Sequence, residues 1–184
     1  NNLLDLESAL STILEFEYDQ KQNSSENINA AVILKHNNPC GAALADSPSD
    51  AFRKALDCDS TSAFGGIVAF NINVDLAAAE LLSNIFLECV VAPSFDKDAL
   101  EILNNKKNLR LLQINKENIN VDNKSTIKSI LGGILEQDFD NEIDQTKEWS
   151  YVTETKPSRE EFNDLRFSWK ICKHVKSNAI VIAK

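Results

Sequence analysis

Short apolar runs alternate with helix-type segments through the middle of this chain, and no other feature constrains its fold as much. Four runs have the length and composition of buried strands: residues 30–35 (AAVILK), 65–72 (GGIVAFNI), 87–93 (LECVVAP) and 109–114 (LRLLQI). The segments between them show helical spacing and begin with capping residues such as Ser47. The alternation predicts an α/β fold with a mixed, mostly parallel sheet flanked by helices.

The flanking segments extend this pattern on both sides. Apolar residues at helical spacing predict a helix over 3–18, followed by an exposed polar loop over 19–29. A second amphipathic helix is predicted over 158–178, with Ser158 and Glu161 placed as a capping box. Further strands are predicted at 127–140, 148–153 and 179–184. We therefore expect a core unit over 28–115, linking strands over 125–155 and the start of a second α/β unit over 158–184.

Composition narrows the function classes. The net charge of −9 is unfavourable for a general nucleic-acid surface, which needs a basic excess. No apolar run approaches the roughly 20 residues of a membrane helix, and no signal-peptide pattern opens the chain, so we expect a cytoplasmic protein.

The four cysteines form no C-x-x-C pair, which predicts reduced thiols without a disulfide or a metal. Because the chain begins on a helix and stops on an apolar run, we expect the natural protein to extend in both directions.

The stretch KHNNPCG combines a strand end with chemistry-bearing residues. Lys35 and His36 follow the first apolar run, and Asn38, Pro39 and Gly41 indicate a turn there. Neighbouring side chains of a strand face opposite ways, so both can reach one site only where the strand ends. Ligands of open α/β sheets collect beyond the carboxyl ends of strands. A neutral imidazole beside an ammonium suits general-base catalysis. The alternative is a solvated Lys35 and a His36 that pairs with a loop carbonyl.

A second candidate is the turn before the next strand. Thr61, Ser62, Phe64, Gly65 and Gly66 form a small-residue turn in which glycines permit close approach to a ligand and Phe64 offers a flat ring. A tight turn with Phe64 in the core is the alternative interpretation.

Two further candidates lie at other element ends. Asn178 follows Lys176 and Ser177 where the last helix stops, and its amide could orient a substrate, although lysine and asparagine are also ordinary capping residues there. Glu88 stands beside a strand and Pro93 at that strand's exit, where a solvated edge carboxylate is an equal alternative.

Four ordered motifs, KHNNPCGAA, DSTSAFGGIVAFN, ECVVAPSFDKDALEIL and WKICKHVKSNAIVIAK, together resemble the formyltransferase half of the AICAR transformylase/IMP cyclohydrolase family. NNLLDLESAL and LGGILEQDFD look like the same family, so the resemblance covers essentially the whole chain. It implies a cytidine-deaminase-like fold and late purine biosynthesis. The implied reaction is formyl transfer from 10-formyltetrahydrofolate to the 5-amino group of AICAR, giving FAICAR.

Site residues follow from the resemblance motif by motif. It implies that Lys35 and His36 form the proton-transfer pair and that Asn178 orients the reacting groups. Binding of AICAR or folate is implied for Asn38, Thr61, Ser62, Phe64, Gly65, Glu88 and Pro93, with Glu88 contacting the pterin. The resemblance requires no metal and no bound cofactor, because the folate is a co-substrate, and it implies a homodimer whose active sites are shared between subunits.

Departures from the family pattern keep two alternatives open. The RYGENPHQ-type segment, the glycine-rich GQ…SR segment and the cyclohydrolase domain are absent from the sequence, so an inactive ligand-binding or oligomerisation piece is one alternative. A zinc deaminase is the other, and it would need an H-x-E and a P-C-x-x-C motif. Pro39 and Cys40 have no second cysteine after them, and asparagines follow His36.

Overall fold

A five-stranded sheet with helices on both faces forms the centre of the molecule. The chain was analysed as a computed structural model, which describes residues 2–22, 28–115, 119, 125–140 and 149–184. The strands are β1 (Asn29–Lys35), β2 (Asn38–Ala45), β3 (Gly66–Phe70), β4 (Leu87–Ala92), β5 (Arg110–Gln113), β6 (Ser125–Ile130) and β7 (Gly133–Asp138). The helices are α1 (Asn2–Gln22), α2 (Pro48–Cys58), α3 (Ser60–Ala63), α4 (Leu76–Ser83), α5 (Lys97–Leu103) and α6 (Arg159–His174).

Local sequence signals account for most of these elements. The Ser47 side chain accepts from the Asp50 N–H at the start of α2, and Asp75 caps α4 in the same way. Ser158 and Glu161 form the predicted capping box of α6. Helix α1 continues to Gln22, into the segment predicted as a loop, and residues 23–27 of that loop lie outside the described residues.

The sheet order is β2-β1-β3-β4-β5, and one strand is reversed. Strand β1 pairs antiparallel with both β2 and β3, whereas β3, β4 and β5 are parallel. Four of the five strands, β2, β3, β4 and β5, therefore run in one direction. The predicted fold class, a mixed and mostly parallel α/β sheet flanked by helices, is confirmed.

The sequence pattern did not predict β2, and this strand is the reason β1 is reversed. Its sequence, NPCGAALA, contains a proline, a glycine and no β-branched residue, which is not typical of a strand. The proline is compatible with β2 because the strand lies at the sheet edge and Pro39 pairs with Leu34 beside a β-bulge. The turn predicted at Pro39–Gly41 is therefore wrong, since these residues belong to β2.

Two apolar clusters, one on each face, bury the sheet. Ile33, Val68 and Val90 pack with α2, α4 and α5 on one face, and Val32, Ile67 and Val91 pack with α1 and α6 on the other. The alternation of strand side chains explains why neighbouring residues enter different clusters. Six of the seven residues of β1 are buried, which fixes the strand that carries Lys35 at the centre of the molecule.

The C-terminal part differs most from the sequence prediction. The single strand predicted at 127–140 is a hairpin of β6 and β7, because Gly132 has φ +80° and turns the chain. Residues 149–153 form no strand, and Trp149 and Tyr151 instead pack edge-to-face against Phe162 of α6. Residues 179–184 form no strand either, since no described strand lies beside them to pair with. The predicted division of the chain into units stays a prediction.

A search of the described helices found none that combines the length and apolar character needed to cross a membrane.

Candidate functional site

The candidate site is built on the tip of the β1–β2 hairpin, residues 35–38. Lys35 ends β1, Asn38 begins β2, and the two residues between them form the turn. His36 and Asn37 both have left-handed backbones, with φ of 55° and 57°. A two-residue turn with two positive φ values has the twist that joins antiparallel strands without splaying them, and asparagine tolerates it well. The prediction that Lys35 and His36 lie where a strand ends is therefore confirmed.

Three other segments hold the hairpin tip. The Asn37 N–H donates to Asp5 Oδ1 of α1 at 2.6 Å. The Lys176 N–H donates to Asn38 Oδ1 at 3.0 Å, and Lys176 Nζ donates to the His36 carbonyl at 2.9 Å. Lys35 Nζ donates to the Phe64 carbonyl at 2.7 Å. The tip is thus fixed by α1, by the segment after α6 and by the turn before β3, while His36 itself is exposed.

Lys35 connects the tip to an aromatic pair. Phe64 is 58% exposed, so the alternative that places this ring in the core is wrong. Its ring centroid lies 5.2 Å from that of Phe86, with the rings tilted by 44°. Gly65, at φ +74°, donates its N–H to the Phe86 carbonyl at 2.8 Å and so joins the two aromatic residues. A flat, exposed ring can stack with a planar ligand.

The hydroxyl residues of the same turn form the short helix α3. The Ser62 N–H and Oγ both donate to the Asp59 carboxylate, at 2.9 and 2.6 Å. These hydrogen bonds from Ser62 lower the pKa of Asp59. Thr61 is exposed. Asp59 therefore caps α3, the hydroxyl of Ser62 is committed to that cap, and only Thr61 of the pair presents an uncommitted hydroxyl.

Glu88 lies near the start of β4, close to the aromatic pair in sequence and on the sheet. Its Oε2 accepts from Arg110 at 2.8 Å and from the Asn2 amide at 3.3 Å. The side chain of Glu88 is one-third exposed. A half-buried carboxylate beside a cation can accept hydrogen bonds from the N–H groups of a ligand. Sequence patterns gave no signal for the partner Arg110.

The reversed direction of β1 decides which sheet edge carries the site. The carboxyl end of β1 meets the amino ends of β3, β4 and β5, because β1 is antiparallel to β3. Lys35 and His36 thus lie at the carboxyl end of β1, as predicted, whereas Phe64 and Glu88 lie at the amino ends of β3 and β4 on the same edge. Pro93 follows the carboxyl end of β4, about 17 Å away along a six-residue strand. The structure does not bring Pro93 to the other candidates.

Asn178 belongs to the segment after α6 and is exposed. It is two residues beyond Lys176, whose contacts attach this segment to the tip. Two residues of extended chain span about 7 Å, so the segment brings Asn178 near the tip. In the described part of the chain its side chain makes no hydrogen bond.

A cluster that the sequence did not indicate holds the end of α6 against α1. Glu15 Oε1 accepts from Lys173 Nζ at 2.9 Å and lies 3.1 Å from His174 Nε2. Burial raises the pKa of Glu15, but hydrogen bonds and charge from His174 and Lys173 outweigh it and hold the pKa below the usual value. Lys170, which is 5% exposed, donates to the Glu15 carbonyl at 3.1 Å. His174 is thus a packing residue, as its helical position favoured.

The four cysteines are free thiols. Burial raises the pKa of Cys40 to about 11, and that of Cys89 to about 11. Neither thiol is therefore disposed to act as a nucleophile at neutral pH. Among the described residues, no group of three or more His, Cys, Asp and Glu side chains is placed to hold a metal ion.

Comparison with known proteins gives the chain its relatives. The family model described as the AICARFT/IMPCHase bienzyme matches residues 1–184. The chain is 61% identical over 184 residues to the bifunctional purine biosynthesis protein PurH of Prochlorococcus marinus strain MIT 9515, and 56% identical over 183 residues to that of strain NATL2A. These matches cover 100% of this chain but 36% and 35% of the relatives, so the chain spans about a third of their length.

Solved structures with partial likeness include two proteins. Acinetobacter baumannii RibD, form 1, matches with a TM-score of 0.45 and 16% identity, over 58% of this chain and 35% of that one. The dCMP deaminase from the cyanophage S-TIM5 matches with a TM-score of 0.40 and 12% identity, over 47% of this chain and 79% of that one.

The fold class rests on the sheet itself. The relationship rests on the sequence matches, which extend over the whole chain and include every motif of the candidate site: this chain belongs to the AICARFT/IMPCHase bienzyme family.

Proposed function

We propose that this chain carries part of the active site of a folate-dependent AICAR transformylase. In the proposed reaction, the 5-amino group of AICAR attacks the formyl carbon of 10-formyltetrahydrofolate. The new C–N bond forms as the bond to N10 breaks, the amine loses one proton and N10 gains one. FAICAR and tetrahydrofolate are the products, and no oxidant, metal or bound cofactor takes part.

One observation supports this proposal above the others: a proton-transfer pair and an exposed aromatic ring share one sheet edge. His36 is an exposed imidazole and suits removal of the proton from the amine. Lys35 is the neighbouring residue, and its ammonium donates to the Phe64 carbonyl, so it lies between the hairpin tip and the aromatic residue. In this position it suits protonation of N10 of the folate. We infer that the AICAR base occupies the side near His36 and Asn38, and the folate the side near Phe64.

Glu88 and the turn before β3 suit the pterin. The pterin is flat and carries N–H donors, so it matches a tilted aromatic pair with a half-exposed carboxylate on the neighbouring strand. Thr61 and Gly65 line the same turn, and Asn178 is carried near the tip by the segment after α6. The proposal leaves out Pro93, which lies at the opposite edge. It includes a cytoplasmic homodimer as the working form.

The test is an assay of formyl transfer by the intact protein, in which the formation of tetrahydrofolate and FAICAR is measured. We expect His36→Ala to lower kcat by about 10²–10⁴-fold, the usual contribution of a general acid or base. Lys35→Met should also lower kcat, whereas Lys97→Met, an exposed lysine on α5, is the matched control and should keep it.

Two results would overturn the proposal. One is wild-type formyl transfer by His36→Ala. The other is an intact protein in which these variants leave formyl transfer unchanged and abolish conversion of FAICAR to IMP, since that would assign this region to the cyclohydrolase half. Calorimetry with AICAR and with a folate analogue separates an active site from a non-catalytic binding module, because the module would bind at least one ligand without turnover.

A further inference from the structure

Lys176 contacts the hairpin tip through both its backbone and its side chain. Its N–H donates to Asn38 Oδ1 at 3.0 Å, and its Nζ donates to the His36 carbonyl at 2.9 Å. The two contacts join residues 138 and 140 positions apart in the chain. No other described residue makes hydrogen bonds to both His36 and Asn38.

Helix capping does not explain this lysine. Helix α6 ends at His174, and its capping residue Val175 returns its own N–H to the Cys172 carbonyl. A capping lysine would direct its ammonium to the last carbonyls of its own helix. Lys176 instead directs its ammonium away from α6, to the turn between β1 and β2.

The backbone it contacts needs support. His36 and Asn37 adopt left-handed conformations, which non-glycine residues adopt at a cost and keep where neighbouring groups hold them. Asp5 holds the turn at the Asn37 N–H, and Lys176 holds it at the His36 carbonyl. The imidazole of His36 extends from a backbone that is fixed on both sides of the turn.

We propose that Lys176 is the positioning residue for His36. Its ammonium fixes the peptide from which the imidazole extends. The effect on formyl transfer rests on the proposed function, whereas the effect on the position of the His36 ring does not.

Three substitutions separate charge from hydrogen bonding at this position. Lys176→Arg keeps both the charge and a donor, Lys176→Gln keeps a donor without charge, and Lys176→Met keeps neither. Lys97→Gln removes an exposed lysine from α5 and is the matched control. Because the N–H contact to Asn38 belongs to the backbone, all three variants retain it.

The first measurement is an NMR spectrum of the imidazoles of the intact protein, with those of this chain, His36 and His174, identified by a His174→Gln variant. We expect Lys176→Met to move the ring signals of His36, because the carbonyl that Lys176 holds is released, while Lys176→Arg and Lys97→Gln leave them in place. Unchanged His36 ring signals in Lys176→Met would overturn the effect of this contact on the imidazole.

The second measurement is the kinetics of formyl transfer. We expect Lys176→Met to lower kcat by a factor of about ten, the value of one hydrogen bond from a charged group, at unchanged KM for AICAR, and Lys176→Arg to keep kcat near that of wild type. Equal kcat values for Lys176→Met, Lys176→Gln and wild type would overturn the positioning role. Altered His36 ring signals in Lys176→Met without any formyl transfer in wild type would instead refute the proposed function and leave the His36–Lys176 interaction standing.

Discussion

At the scale of single residues, the candidate site depends on side chains whose contribution the sequence does not reveal. Asp5 lies on the first turn of α1, where an acidic residue is ordinary and favourable. In the structure its carboxylate accepts the Asn37 N–H at 2.6 Å, so the same residue holds the turn that carries His36. Lys176 likewise follows a helix end, where a lysine is ordinary, and in the structure its ammonium donates to the His36 carbonyl.

Replacing Asp5 should therefore loosen the hairpin tip. We expect Asp5→Ala to lower the free energy of unfolding by about 1–3 kcal/mol, because a hydrogen bond to a charged group is lost and a half-buried N–H is left without its acceptor. Chemical denaturation measures the change. Glu7→Ala removes an exposed carboxylate from the same helix and should stay within about 0.5 kcal/mol of wild type. Equal losses in the two variants would contradict the role of Asp5.

Glu15 should make stability depend on pH in the acid range. Its pKa is lowered in the folded chain, so its contribution is complete above the unfolded value, 4.5, and is lost as the pH falls through the folded value. We expect Glu15→Gln to cost about 1–3 kcal/mol at pH 7, and the gap to wild type to narrow as the pH falls below the unfolded value of 4.5. Denaturation series at several pH values test this. A gap that does not narrow on acidification would show that charge on Glu15 is not what joins α1 to α6.

At the scale of elements, the close approach of α2 to β2 has a single cause. Gly41 has no side chain, and a Cβ at this position would collide with the Ala55 carbonyl of α2. The helix can thus lie directly on the edge strand, whose only neighbouring strand in the sheet is β1.

A methyl group at Gly41 should separate the two elements. We expect Gly41→Ala to destabilise the fold by about 1–3 kcal/mol, because the collision is with backbone that cannot turn aside. Gly133→Ala is the matched control, since its Cβ would meet nothing closer than 4.0 Å. Thermal unfolding compares the two, and a Gly41→Ala variant as stable as Gly133→Ala would show that α2 can move away at no cost.

The same elements show what sequence reasoning could and could not predict. Strands β1, β3, β4 and β5 were predicted correctly because a buried strand leaves a short apolar run in the sequence, and helices α1, α2, α4, α5 and α6 because their signals are local. The short helix α3 was predicted as a turn. Strand β2 was missed because its small residues pack under α2 without forming such a run. Because β2 was not predicted, the reversed direction of β1 was not predicted either. The candidate site therefore lies at the sheet edge opposite to Pro93, which the sequence had grouped with the other site residues. The contacts of Asp5 and Lys176 were not predictable, because they join residues far apart in the chain.

At the scale of the whole molecule, stability is distributed unevenly. The five-stranded sheet is covered on both faces, whereas β6 and β7 pair, within the described ranges, only with each other, and nearly all their side chains are exposed. A hairpin of two strands without a covering layer is marginal in water.

Hydrogen exchange should reveal this difference. We expect the amides of β1 and β3 to exchange only on global unfolding and those of β6–β7 to exchange faster by several orders of magnitude, because the hairpin opens without disturbing the sheet. Exchange followed by NMR or mass spectrometry of the isolated chain makes the comparison. Protection of β6–β7 in the intact protein but not in the isolated chain would identify this hairpin as a surface covered by another part of the assembly. Equal protection of the hairpin and the sheet in the isolated chain would contradict the prediction.

The contacts of the hairpin tip also have a consequence for biosynthesis. Asp5 leaves the ribosome among the first residues of this region and Lys176 among the last, yet both are needed to fix the turn at His36. While the later part is still being made, a growing chain can pair β1 with β2 and close the turn, but it cannot yet hold the His36 carbonyl. The imidazole therefore acquires its final position only after α6 has docked, so an incomplete chain has the histidine without the setting in which it works.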